Sequence, residues 1–380
     1  MFKQQSMRRA AISVYFFFLG MVFSTWASRI PDVKDRFSLS EAELGGILFM
    51  LPLGALAALP ASGWLVQRWG SRKVSAVVLV LYGFFLFTTG ISGNLEVLSV
   101  SLFLFGMLGN LGNIAMNAQG IAIQQIIGKT ILSSLHAMWG LGAFAAAAVS
   151  GWMMHLDIAV GGHFAFIGAV AGGAALLFYV FLVPDINTNG EKQQVFVLPG
   201  RGLLLLGLIC FCVAMSEGAM ADWSSLYYRQ VIHAMHTSST AGYTAFALCM
   251  TMGRFAGDRL LQFLTHSKLL RINGLLILCG IFLALVFPVK WVVISGFALV
   301  GLGVSSVFPI VYMLAVKSKS MSPSASLAAV SSVGFTGFLL GPPMIGFVAE
   351  ETGLRMSLWI IAVLGLFIIL LAFRVKDSVK

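Results

Sequence analysis

Apolar residues run through this chain in long blocks rather than at the spacing of one buried face, and polar residues gather between the blocks. Twelve blocks separate, at about 10 to 28, 43 to 66, 74 to 93, 97 to 123, 131 to 154, 162 to 183, 203 to 227, 239 to 262, 269 to 287, 291 to 316, 325 to 349 and 356 to 374. A helix rising ~1.5 Å per residue needs ~20 residues to cross a hydrocarbon core about 30 Å thick, so each block has the length of one membrane span. The pattern predicts an all-α polytopic membrane protein of twelve transmembrane helices. Most connections are short. The longest polar one, the linker 185–201, divides the chain into a six-helix half at 1–184 and a second at 202–380. Lys3, Arg8 and Arg9 ahead of the first apolar run resemble the start of a signal peptide, but the cleavage site is weak and the topology needs this stretch as span 1.

Composition agrees: 59% of residues are hydrophobic and 10% charged, far from an ordinary soluble domain. The net charge of +10 would suggest nucleic acid in a soluble protein. Here it sorts by membrane side. With both termini inside, all but six of the 24 Lys and Arg residues fall on the inner segments; the outer six are Arg29, Lys34, Arg36, Arg229, Lys290 and Arg355. The positive-inside rule therefore predicts cytoplasmic termini in a plasma membrane, the inner membrane if the source is bacterial, and explains the basic charge without a nucleic-acid partner. Cys210, Cys212, Cys249 and Cys279 all lie in apolar runs without metal-ligand spacing and read as buried small apolar residues. No Ser/His/Asp set, metal cluster or phosphate loop is visible, so neither an enzyme nor a cofactor site is expected.

An internal repeat is visible at an offset of 195, pairing Leu65 with Leu260, Gln67 with Gln262, Gly106 with Gly301, Gly142 with Gly337 and Gly151 with Gly346. The matches fall in equivalent spans of the two halves, which predicts two pseudo-symmetric six-helix bundles. After span 2 comes Gly63-Trp64-Leu65-Val66-Gln67-Arg68-Trp69-Gly70-Ser71-Arg72-Lys73. This resembles the signature loop of the major facilitator superfamily, with Gln67 where that family carries Asp. The second-half equivalent, Asp258 to Gln262, is also degenerate. In that family the acid helps clamp the cytoplasmic helix ends, so the resemblance implies a clamp weakened by the loss of a charge-assisted bond.

The segments 24–29, 135–142, 217–223 and 341–346, with the Asn-bearing span 4, are similar to the branch containing MosC and YbjJ. The resemblance implies a monomeric secondary transporter in the lipid bilayer. It would move a small polar organic solute, sugar- or inositol-like, by alternating access with proton coupling. Two alternatives stay open: a proton-driven drug or metabolite exporter, although the span-4 arginine typical of such antiporters is replaced by Asn110, Asn113 and Asn117, and a transporter-like receptor that binds without moving its ligand.

Candidate chemistry centres on Glu217 and Asp222. Counted inward from Leu203, Glu217 lies about 21 Å into the core, where an acidic residue costs about 3 kcal/mol and commonly serves protons, ions or substrate. Five residues put Asp222 about 140° away around the helix, so the two acids need separate partners. Asp222 and Arg29 share a level near the outer surface and are read as an outer-gate pair. Asn110, Asn113 and Asn117 form one polar stripe on span 4, suited to a hydroxyl- or amide-bearing solute or to bonding a neighbouring helix. His136 on span 5 is a candidate proton site or a bonded structural group. Trp26, Trp139, Trp223 and Tyr243 offer ring faces or bundle filling, with Trp223 the best placed. Arg254 and Asp258 stand i, i+4 on span 8 and read as an inner-gate or structural ion pair. Counting inward from Ser239 sets Arg254 about 13 Å from the level of Glu217, which predicts no contact between them. Within span 11, Gly341-Pro342-Pro343 predicts a bend.

Overall fold

The computed structural model describes residues 2–129, 131–184, 200–317, 321 and 323–375. The expected linker at 185–201 falls outside them, apart from Gly200 and Arg201. Every regular element among the described residues is helical. In order they are α1 (Phe2–Ser28), α2 (Ile30–Phe37), α3 (Glu41–Trp69), α4 (Ser71–Ile91), α5 (Leu95–Ile127), α6 (Leu132–His155) and α7 (Val160–Phe178), followed by a 3-10 turn at Tyr179–Phe181. Then come α8 (Arg201–Gln230), α9 (Ala241–Leu260), α10 (His266–Val286), α11 (Lys290–Ser305), α12 (Val307–Val316), α13 (Pro323–Thr352), α14 (Leu354–Ser357) and α15 (Trp359–Ala372).

Eleven helical segments among the described residues are long and apolar enough to cross a membrane, one fewer than the twelve expected. The remaining stretch, expected at 239 to 262, is the helix α9 of 20 residues, whose C-terminal third carries Arg254 and Arg259. Proline interrupts the helical run at two places for a local reason. Pro31, just inside α2, has no N–H to give the carbonyl of Ala27, and the chain turns at Arg29. Pro309 likewise leaves the carbonyl of Ser305 without its usual donor, and the chain passes from α11 to α12 through Ser306. By contrast α13 runs on through Pro342 and Pro343, which helices packed in a membrane can accommodate.

Helix starts follow capping chemistry. Ser40 and Glu43 exchange bonds at the head of α3, the Ser40 N–H donating to Glu43 Oε2 at 2.9 Å and the Glu43 N–H to Ser40 Oγ at 3.2 Å. Asn94 accepts from the N–H of Val97 at 2.8 Å to open α5. Gly70, with φ of 84°, sits between α3 and α4 in backbone space that a side chain rarely adopts, which accounts for the glycine in the signature loop.

Contacts divide the chain into two compact units, one of residues 1–38 with 50–192 and the other of residues 39–49 with 193–380. In the first, α1 packs along α6, and α4 against α5 and α7. In the second, α8 packs along α13, α10 against α11 and α15, and α9 against α11. Leu39–Phe49 belongs to the second unit, where Glu350 of α13 accepts from the N–H groups of Glu41 and Ala42 at 2.9 and 3.2 Å.

The repeated glycines have a steric cause. A Cβ on Gly142 would collide with the carbonyl of Phe17, and one on its repeat partner Gly337 with the carbonyl of Phe211. Gly106 meets the carbonyl of Leu51, and Gly301 that of Phe246, itself 195 residues after Leu51. Lipid tails are as apolar as leucine, so helices in a bilayer associate by close packing, and small residues mark where backbones touch.

Candidate functional site

In the second unit Glu217 points from α8 toward α9, and Arg254 Nη2 lies 3.3 Å from Glu217 Oε1. The side chains are 13% and 19% exposed, so the pair is largely withdrawn from water. This corrects the expectation that the two stand about 13 Å apart in depth. The error came from taking Leu203 as the membrane edge: α8 has 30 residues, about 45 Å, and overshoots the core. Counted from the α8–α9 connection, Glu217 lies thirteen residues before the end of α8 and Arg254 thirteen after the start of α9, about 20 Å in each case. The side chain of Asp258, Arg254's expected partner, is outside the described residues. Glu217 Oε2 is buried and accepts no hydrogen bond.

Two expected site residues on α8 separate. Asp222 is partly buried on a different face of the helix from Glu217. Trp223 is 0% exposed with its Nε1 unpartnered, which is the bundle-filling one of its two expected roles. Trp26, 1% exposed and 6.4 Å from the Phe164 ring, and Tyr243, buried beside Phe246, are packed in the same way. Trp139 keeps a partly exposed ring 5.9 Å from that of Phe23.

In the first unit the α5 stripe divides. Asn110 donates to the carbonyl of Ala55 on α3 at 3.0 Å and is a helix-to-helix bond. Asn113 and Asn117 are joined by a short side-chain bond, Asn117 Nδ2 donating to Asn113 Oδ1. Asn117 Oδ1 lies 3.2 Å from His136 Nε2 on α6, and the His136 ring stands edge-on to Phe16 at 5.3 Å. Asn113 and His136 are exposed, so the chain Asn113–Asn117–His136 is a continuous polar relay with open ends.

Arg29 is 2% exposed at the break between α1 and α2, and its guanidinium is engaged within the first unit. It donates to His163 Nδ1 at 3.3 Å, to Asp32 Oδ2 at 3.4 Å and to the carbonyl of Ile158 at 2.9 Å. His163, buried on α7, escaped the sequence reading because a lone histidine after two glycines carries no spacing signal. Along the signature loop Gly63 is partly buried and Gln67 exposed, while Arg68 lies 5.6 Å over the Trp64 ring. Arg72 donates to the carbonyl of Tyr179 at 3.2 Å and covers that ring at 4.4 Å, tying the loop to the C-terminal end of the sixth span. Of the four cysteines, Cys210 and Cys212 are buried as expected, whereas Cys279 is exposed.

Apolar helices in two bundles, broken spans and charged or amide groups held at membrane depth define a polytopic secondary-transporter fold. The family model of the Major Facilitator Superfamily matches residues 12–327, and the chain belongs to that superfamily, whose members are transporters rather than enzymes. Membrane protein MosC of Rhizobium meliloti is 30% identical over 367 residues, covering 94% of this chain and 88% of its own. Among solved structures, a point mutant of the nucleoside transporter NupG superposes with a TM-score of 0.78 at 12% identity, over 96% of this chain and 98% of that one. A D-xylose-proton symporter gives 0.75 at 13% identity, over 96% and 95%. These two likenesses concern the fold.

Proposed function

We propose that the protein is a monomeric secondary active transporter that moves a small polar organic solute by alternating access, coupled to protons. It sits in a plasma membrane with both termini cytoplasmic. The observation that carries the reading is the Glu217–Arg254 pair: an acid and a base placed about 20 Å along two apolar helices, with one carboxylate oxygen unbonded. Ionisable groups at such depth are expensive unless they serve a pathway. A carboxylate that can exchange a guanidinium for a proton is a coupling element. The Asn113–Asn117–His136 relay supplies donors and acceptors for a polar solute in the first unit. The fold neighbour named a D-xylose-proton symporter supports the same combination of solute and ion.

The test is flux into proteoliposomes holding the purified protein, with and without an inward pH gradient. The reading expects accumulation that rises with the gradient and is lost in Glu217→Gln. Unchanged gradient-driven accumulation in that variant refutes Glu217 as the coupling group. Binding without flux would make the protein a receptor, and stimulation by an opposite gradient an exporter.

A further inference from the structure

A cavity of about 520 Å³ opens in the first unit between the start of α1 and the chain that follows α7. Among the described residues it is lined by Gln4, Met7 and Arg8 on one side and by residues 180–182 and Pro184 on the other. Its size lies within the roughly 300–1,000 Å³ of small-molecule sites. Both walls are fixed. Gln4, Met7 and Arg8 stand at i, i+3 and i+4 on one face of α1, and Gln5 beside them donates to the carbonyl of Ile126 on α5 at 3.5 Å. Opposite, the backbone after α7 is pinned at three atoms. The Tyr179 carbonyl accepts from Arg72 Nε at 3.2 Å, and the Gln119 amide of α5 accepts from the Val183 N–H at 2.9 Å and donates to the Val183 carbonyl at 3.0 Å. Arg8 is half-buried and makes no hydrogen bond or ion pair among the described residues. No acidic residue lines the cavity among them either. The apolar run of α1 starts at Ala10 and that of the sixth span ends at Val183. Arg8 therefore lies about 3 Å beyond the one run, while residues 180–182 still belong to the other.

We propose that this cavity seats the headgroup of an anionic phospholipid, with the phosphate on the Arg8 guanidinium and the first acyl carbons against Val180 and Phe181. The inference is independent of the transport reading. An arginine that serves only to orient the chain acts from open water. Arg8 is instead half-withdrawn beside an apolar wall, where a cation without a counter-charge is costly. Phosphate answers that cation with forked, charge-assisted bonds. A free phosphate would leave Val180, Phe181 and Leu182 wet. A phospholipid carries phosphate and hydrocarbon together at the membrane surface and covers both walls at once, which is how basic pockets between spans hold anionic headgroups. The backbone favours the same sign of ligand. Gln4 belongs to the first turn of α1, the positive end of its dipole, and the Tyr179 carbonyl at the far wall is already taken by Arg72.

Thermal unfolding of the purified full-length protein in micelles of an uncharged detergent provides the test, since a ligand of the folded state raises the midpoint by mass action. The probes are dioleoyl phosphatidylglycerol, dioleoyl phosphatidylcholine at the same mole fractions, and inorganic phosphate. The expected result is a midpoint raised by phosphatidylglycerol and unmoved by the other two. Arg8→Gln should lower the affinity for phosphatidylglycerol about fivefold or more, as loss of one basic contact with an anionic headgroup does. Arg9→Gln removes the same charge from an exposed neighbour that does not line the cavity, and should leave the affinity within about twofold because such a charge is screened. Met7→Trp keeps Arg8 but fills the cavity, and should lower the affinity as far as Arg8→Gln; if one of these two fails to fold, the other still decides. Four outcomes overturn the proposal: no response to phosphatidylglycerol, an equal response to phosphatidylcholine, an equal response to inorganic phosphate, which would make the site one for the free ion, and equal losses in Arg8→Gln and Arg9→Gln, which would reduce the effect to diffuse surface charge.

Discussion

Replacing either member of the Glu217–Arg254 pair with methionine leaves the other charge in a largely dry site. Breaking a buried pair on one side costs about 3–5 kcal/mol, and with side chains 13% and 19% exposed the lower end, about 3 kcal/mol, applies. The two losses are unequal. A carboxyl left alone can discharge by taking a proton, whereas a guanidinium stays charged, so Glu217→Met is the more damaging change. The double variant removes both charges, and replacing a buried pair by apolar groups of similar volume is commonly near neutral. For a cooperative unit of roughly 200 residues about 2–4 °C accompanies each kcal/mol, so the single variants should melt about 6–12 °C below wild type and the double variant within a few degrees of it. Thermal unfolding of the four purified proteins in one detergent reads the cycle directly. Losses that simply add, giving a double variant less stable than either single one, would refute a direct interaction. So would single variants that melt with wild type.

Three further outcomes test other parts of the structure. Gly142→Val should destabilise by about 3 kcal/mol or more through collision with the Phe17 carbonyl, while Gly173→Ala, with open space around it, should melt with wild type. Arg29→Lys keeps the charge but loses the fork that reaches His163, Asp32 and the Ile158 carbonyl; a loss of about 2 kcal/mol in denaturant titration is expected, and no loss would show those bonds to be idle. Asn117→Leu and His136→Phe should slow solute flux at least about tenfold, equivalent to ~1.4 kcal/mol, while Asn110→Leu alters stability more than flux because its amide is engaged by α3.

Much of the fold could be read from the chain because a bilayer imposes one demand, a long apolar helix, and leaves a plain mark of it in sequence. The glycine repeat was legible for a related reason: backbone contact tolerates no side chain, so Gly142 and Gly337 recur at the same place in each half. The site was less legible. Depth along a span was counted from the wrong end for Glu217, since the apolar run of α8 begins before the membrane core does, and the bond with Arg254 was missed. Which side of a helix faces a neighbour is invisible when all sides are apolar. Trp223 and Trp26 therefore looked available and are buried. His163 shows the converse, an isolated polar residue whose partner lies 134 residues away.

The arginine of α9 also bears on how the chain enters a membrane during synthesis. An arginine within a helix opposes insertion, by at most about 3 kcal/mol at the centre and less toward an end, and α9 stands outside the eleven segments long and apolar enough to cross a membrane. Its counter-charge is already in place, because α8 leaves the ribosome first and carries Glu217 at the matching distance from the connection. The two helices are thus suited to partition as a hairpin, with the carboxylate escorting the guanidinium out of water. A change at Glu217 would then be felt first as an incompletely threaded nascent chain, before any solute is encountered.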